Sequence, residues 1–270
     1  MRAITRSSSA KWKRRASRAG RRSYTTAAVT HSWSISTMRD ILTPRRVRGV
    51  EILDSPDVDP KIVTRSLADV ARANALFGGT SSALDEVREA LKEVPRDATL
   101  LDVGTGLGDI PCRAREEARR TGVDLTTVGL DSAPELASAS RSSVDFSVCA
   151  DALRLPFRDN SIDIVMCSQV LHHFAGSEAA ELLREMDRVA RVRVVVSDLR
   201  RSWIAAAGLW LLSFPLRFHA VSRHDGVVSV MRGFTPEELA DTVHEAIARR
   251  PVAHRRRAFR VTTSWAPVHR

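Results

Sequence analysis

Leu100-Leu101-Asp102-Val103-Gly104-Thr105-Gly106-Leu107-Gly108 places three glycines at alternate positions behind an apolar run. Glycine allows a tight turn and leaves bare backbone for a ligand to lie against, with the free N–H groups of a following helix start available to bind it. A second apolar run, Val128-Gly129-Leu130, ends in Asp131. A carboxylate at the end of the strand after such a loop accepts both hydroxyls of a ribose, so loop and acid together point to a nucleoside cofactor. A dinucleotide site prefers GxGxxG, whereas these glycines run GxGxG with Asp109 behind them. A third acid, Asp151 in Cys149-Ala150-Asp151-Ala152, closes the next apolar run, at a strand end where open α/β sheets bind ligands. Asp102 has two open readings, facing the cofactor or holding the loop by accepting its N–H groups. Asp163 opens a strand rather than closing one and is read as structural.

Groups able to move a proton come later in the chain. His172 and His173 follow Val165-Met166-Cys167-Ser168-Gln169-Val170-Leu171, Asp198 ends a further apolar run, and His224 precedes Asp225. Two adjacent side chains cannot both face one pocket, so one histidine is a candidate base and the other packs or caps; Asp198 and His224 are rival candidates. Cys112, Cys149 and Cys167 are far apart and form no CxxC pair, which fits a reducing compartment and gives no metal site.

The elements that must position these residues follow from periodicity. Leu100–Val103, Thr126–Leu130, Phe146–Cys149, Ile162–Cys167 and Val192–Ser197 are short, β-branched and apolar on both faces, as buried parallel strands are. Helical stretches separate them, and the last, marked by Leu182, Leu183, Met186, Val189 and Ala190, carries one apolar stripe. The alternation predicts an α/β fold with a doubly wound, mostly parallel sheet. Upstream, Leu67, Val70, Ala71 and Asn74 share a helix face that Gly78-Gly79 ends, and Ser82 with Asp85 three residues on is expected to start a second helix. Downstream, an apolar segment spans 203–218, a loop is expected through His224-Asp225-Gly226, and Thr235-Pro236-Glu237-Glu238 supplies an N-cap, a Pro at N1 and a Glu at N3. Arg255–Trp265 is read as a closing strand pair.

In its ordered motifs, residues 98–200 resemble the class I S-adenosylmethionine-dependent methyltransferases. The resemblance rests on the glycine loop, on Asp131, on Asp151 with Leu155-Pro156-Phe157, and on Asp159-Asn160-Ser161-Ile162-Asp163 leading into Ser168-Gln169-Val170-Leu171-His172-His173. It implies a seven-stranded Rossmann-like sheet and S-adenosyl-L-methionine as cofactor. It further implies a cofactor shell of Asp102, Gly104, Thr105, Gly106, Gly108, Asp131, Ser132, Asp151, Ala152 and Gln169. Ala190-Arg191-Val192-Arg193 stands where the family often has a Pro-Gly-Gly turn, which leaves the subfamily open. No Asp/Asn-Pro-Pro-Tyr segment follows the fourth strand, which argues against amino-group methylation of bases or glutamine. The stretches Glu51–Gly79 and Arg223–Leu239 resemble bacterial methyltransferases associated with type III polyketide synthases. That implies a hydroxylated aromatic, polyketide or quinone-like acceptor, with O-methylation ahead of C-methylation.

The charge of +10 belongs to one end of the chain. Residues 1–39 carry ten Lys and Arg and no acid, leaving 32 basic and 32 acidic residues in 40–270. A formally neutral body disfavours a nucleic-acid partner and leaves a small-molecule acceptor as the expected one. Residues 1–38 are expected to be a disordered basic extension, 39–97 an N-terminal helical module, and 98–270 the methyltransferase domain with a helical acceptor lid around 201–235. The Ser- and Arg-rich, acid-poor extension fits a mitochondrial transit peptide, a basic arm for nucleic acid, or a chain whose translation starts at Met38; the expected location is cytoplasmic, or mitochondrial if 1–37 is a transit peptide. The apolar run Trp203–Leu216 contains Pro215 and is shorter than the roughly 20 residues that span a bilayer, so peripheral membrane contact is the expected limit. The six arginines at 249, 250, 255, 256, 257 and 260 read as a solvated hairpin surface. The alternative functions are a nucleic-acid or protein methyltransferase and a catalytically silent cofactor-binding subunit.

Overall fold

The computed structural model describes residues 42–55 and 58–267; the basic extension lies outside them. Seven strands form one sheet in the order β3-β2-β1-β4-β5-β7-β6. They are β1 (Asp97–Val103), β2 (Asp124–Asp131), β3 (Phe146–Cys149), β4 (Ile162–Ser168), β5 (Ala190–Leu199), β6 (Ala253–Arg256) and β7 (Arg260–Trp265). β1 to β5 pair in parallel, and β7 runs antiparallel between β5 and β6. The five runs read as parallel strands are these five. The fold is the doubly wound α/β sheet of the class I methyltransferases.

Eight α-helices accompany the sheet among the described residues. On one face lie α2 (Gly79–Ala90) and α3 (Asp109–Thr121), whose Val87 and Ala114 are buried against Leu100, Ile164 and Met166. On the other lie α5 (Ser177–Val189) and α8 (Pro236–Ile247), whose Leu182, Leu183, Met186, Leu239 and Val243 meet Leu101, Val165 and Val196. Truncating any of these leucines to alanine costs about 2–5 kcal/mol. α8 opens with the full reciprocal capping box, in which the Thr235 hydroxyl accepts from Glu238 N and the Glu238 carboxylate accepts from Thr235 N. The short α4 (Pro134–Ser140) follows β2.

Three expectations are corrected. α2 starts at Gly79 rather than at Ser82, because Gly78 turns the chain in the left-handed region (φ 72°) immediately after α1 (Pro60–Leu76). Ser82 and Asp85 therefore fall in the second turn. The loop expected through His224-Asp225-Gly226 is the middle of α7 (Ala220–Arg232). Gly226 serves packing there: a Cβ would stand 2.8 Å from Leu209 Cδ2 on the neighbouring α6 (Trp203–Ser213). The C-terminal arginines are not all on a solvated surface either. Arg256 donates to the buried Glu86 at 2.6 Å, and Arg260 is buried because β7 lies inside the sheet. Burial lowers the Arg260 pKa to about 10.

Residues 42–55, α1 and α7 interlock through buried acids into one cover, with α6 packed on α7. Asp69 on α1 accepts from His219 N (2.7 Å) and Ser222 Oγ (2.9 Å). Asp225 on α7 accepts from Ile52 N and Leu53 N, each at 2.9 Å. Glu51 accepts from Ser229 Oγ at 2.8 Å and Arg232 Nη1 at 3.0 Å. Buried Arg201 ties the cover to α8 by donating to the Glu238 carboxylate and to Pro44 O. Phe234 N donates to Leu199 O at the end of β5, so the cover is anchored at the carboxyl end of the sheet.

Candidate active site

The glycine loop turns from β1 into α3 with Gly104, Gly106 and Gly108 at φ 73°, 54° and 76°. Two of these glycines differ in purpose. A Cβ at Gly104 would collide with Val170 Cγ2, whereas one at Gly106 would meet nothing within 4 Å. Gly104 thus lets the loop lean on the turn after β4, and Gly106 presents bare backbone to open space. Gly104 N and Thr105 N both donate to Leu130 O, which fixes the loop to the end of β2.

Asp131 sits at that strand end, nearly buried, and its two oxygens accept from Gly106 N and Ala133 N at 3.1 Å each. Each carboxylate oxygen keeps a further acceptor position, the requirement for a vicinal diol. Asp151 is exposed beyond β3 and accepts from Leu153 N at 2.9 Å, with Ser132 exposed and Ala152 nearly buried beside the same strand ends. Gln169, at φ 57°, donates its amide to Asn74 Oδ1 at 2.6 Å and brings α1 over the end of β4. Asp102 is fully enclosed; burial pushes its carboxyl up to about 8, and its Oδ1 has no partner. An open glycine, an acid with spare acceptor positions at the next strand end and an orphaned carboxyl oxygen beneath the loop suit a ligand carrying both a ribose and a charged amino-acid end.

A second cluster stands at the ends of β4 and β5. His172 and His173 lie in a 3-10 turn, Leu171–His173, with ring centroids 4.3 Å apart. Asp198, fully buried, accepts from His172 N at 3.1 Å and lies 2.7 Å from His172 Nδ1. Burial raises the Asp198 carboxyl, but His172, the Leu199 N–H and His173 more than offset it and hold the group below the usual carboxylate range. In a neutral His172 ring, an ionised Asp198 would hold the proton on Nδ1 and leave Nε2 as the acceptor nitrogen. That Nε2 is buried without a partner. His173 is one-third exposed, with Nδ1 3.9 Å from Glu51 Oε2 and 3.3 Å from Arg232 Nη1. The expected division between the histidines therefore appears as one enclosed dyad and one rim residue. His224 is half exposed on α7, with Nδ1 2.8 Å from Asp225 Oδ1, so the structure links it to a residue that clamps the cover and not to the dyad.

Glu51 and Arg232 escaped the sequence reading. Both fall within stretches that carried the polyketide-associated resemblance, but only the folded chain brings them to His173. Glu51, His172 and His173 offer ligand atoms within 4.8 Å of one another. Arg232 already engages the Glu51 carboxylate, and a cation there would face that guanidinium, so the trio is suited to proton and anion handling. Asp163, as expected, is a structural staple: it accepts from Thr99 N at 2.9 Å and from Arg191 Nε at 2.8 Å at the amino end of β4. A cavity of about 670 Å³ between α2 and α3 is lined by Thr80, Arg88, Asp109 and Arg113 but by neither Asp131 nor His172, and it belongs to neither cluster.

Comparison with known proteins agrees with this geometry. A family model described as a methyltransferase domain matches residues 101–196. The chain is 35% identical over 160 residues to a demethylmenaquinone methyltransferase of Deinococcus radiodurans, covering 56% of this chain and 63% of that one. It is 30% identical over 172 residues to a demethylmenaquinone methyltransferase of a Roseiflexus species, covering 59% and 70%. A probable tRNA methyltransferase 9B of Homo sapiens is 29% identical over 114 residues, 42% of this chain and 23% of the relative. The chain thus spans less than two thirds of the Deinococcus protein and about a quarter of the human one. Among solved structures, the putative methyltransferase in complex with the Haloferax volcanii Trm112 activator superposes with a TM-score of 0.51 at 14% identity, over 79% of this chain and 100% of that one. With its sheet order, its glycine loop and these relatives, the chain belongs to the class I S-adenosylmethionine-dependent methyltransferases.

Proposed function

We propose that this enzyme methylates a ring hydroxyl of a small, apolar, quinone-like or hydroxylated aromatic acceptor, with His172 as general base. The observation that carries the proposal is the enclosed His172–Asp198 pair, whose Nε2 is buried and unpartnered beside the end of β4. When bound, the cofactor supplies an electrophilic methyl group on a sulfonium with a good leaving group, so in-line positioning provides most of the rate. Asp131 and the bare backbone at Gly106 would hold and orient the donor, with Ser132, Asp151, Ala152 and Gln169 as the other residues that would line it. His172 Nε2 takes the hydroxyl proton as the oxygen attacks, and Asp198 stabilises the imidazolium that forms. Arg232, fixed by Glu51, gives the rim a positive charge facing developing phenolate character.

The demethylmenaquinone methyltransferase relatives support a quinone-like acceptor, and the neutral body weighs against tRNA, the acceptor class named for the human relative. The test is a panel of reduced naphthoquinones and hydroxylated aromatics with methyl-labelled donor, with tRNA in parallel, and NMR of the product to place the methyl. Methyl on oxygen, with His172→Asn lowering kcat about 100-fold and leaving donor Kd within twofold, is the expected result. Methyl on ring carbon, turnover of tRNA alone, or an undiminished His172→Asn would overturn it.

A further inference from the structure

We propose that α6 and the 42–50 strip form a docking face that lies in the headgroup region of an anionic membrane. α6 contains no charged residue, and Trp203, Ile204, Trp210, Leu211 and Leu212 along it are each about half exposed. Trp203 N donates to Leu42 O, which joins the helix to the strip, where Val47 and Val50 are exposed as well. An apolar patch of this kind is rare on a monomeric soluble surface. At eleven residues α6 is about 16 Å long, too short for a bilayer core of about 30 Å, and no helix among the described residues is long and apolar enough to cross a membrane. It therefore lies in the plane of the interface, with tryptophans at the depth they favour.

Charge selects the occupant. α6 packs on α7, which packs in turn on α1, and the only acids within those two helices, Asp69 and Asp225, are buried and engaged by hydrogen bonds. The exposed charges near the patch are Arg45 and Arg48 on the strip, Lys61 and Arg65 on α1 with Asp59 at its N-cap, and Arg217 beyond α6, whose carbonyl accepts from Arg65. An apolar face whose rim carries five basic side chains against the single acid Asp59 complements anionic lipid, each basic side chain adding roughly fivefold to binding near the surface. The proposal stands apart from the acceptor reading, because docking requires neither donor nor acceptor.

The test uses the full chain in flotation with phosphatidylcholine vesicles with and without phosphatidylglycerol. Binding to the anionic vesicles, weakened by salt, is expected to fall about tenfold or more in the double variant Trp203→Ser, Trp210→Ser with its Tm retained. Leu211→Gln provides a second variant should the first unfold. In a Trp12→Phe, Trp33→Phe background, brominated acyl chains are expected to quench the α6 tryptophans. Vesicle binding that survives the α6 variants belongs to the basic extension and overturns the proposal. So does a dimer in sedimentation that the α6 variants dissociate, since a second copy then covers the face.

Discussion

The donor side and the cover of this molecule are held by opposite means. At the ends of β1 and β2, backbone holds backbone: Gly104 N and Thr105 N meet Leu130 O, and Asp131 reaches loop N–H groups 25 residues back and two residues on. In the cover, side-chain carboxylates reach across 150 to 178 residues: Asp69 to His219, Asp225 to Ile52, Glu51 to Ser229. The first arrangement is local and rigid enough to shape a fixed ligand. The second is a set of buried acids each responsible for a long-range joint, so the cover forms only when distant parts of the chain have met.

The comparison can be broken by substitution. Asp131→Ala is expected to weaken donor binding by about 3 kcal/mol, more than 100-fold in Kd by calorimetry, through loss of two charge-assisted bonds to the ribose. Equal donor affinity in that variant would remove the ribose assignment. Asp225→Ala leaves Ile52 N–H and Leu53 N–H without their buried acceptor and is expected to cost about 2 kcal/mol, lowering Tm by roughly 4–8 °C with donor Kd within twofold. If donor affinity fell in step, cover and loop would be one unit.

Asp102 sharpens the donor side. Its folded carboxyl titrates near 8 while the unfolded chain ionises near the ordinary value of 3.8, so folded protein binds the extra proton between them and stability falls as pH rises through that window. Asp102→Asn is expected to raise Tm of the cofactor-free protein at pH 8 by about 5 °C, with little change at pH 4, and to flatten the Tm–pH curve. The smallest effect is expected at Arg250→Ala, whose 2.8 Å pair with Asp241 has both side chains more than half exposed; the loss is about 0.5 kcal/mol or less by thermal unfolding.

The same contrast explains what could be read from the chain. Glycines 104, 106 and 108, Asp131 and the five parallel strands were legible because their signals are local: alternate glycines, an acid ending an apolar run, β-branched residues on both faces. Thr235 to Glu238 announced α8 for the same reason. His224-Asp225-Gly226 has the composition of a turn yet lies inside α7, because Gly226 answers to Leu209 on another helix and Asp225 to backbone 173 residues away. Glu51 and Arg232 carry no local signature at all; their pairing exists only once the cover has closed.

The contact between Gly104 and Val170 reaches further than its size suggests. Val170 immediately precedes the turn that holds His172, so the glycine loop packs directly against the start of that turn. Under the proposed function this one contact joins the donor and acceptor sides, so donor and acceptor affinities would be thermodynamically linked, each changing the other by the same factor. A side chain in place of Gly104 would press on Val170 and so disturb the glycine loop and the His172 turn together.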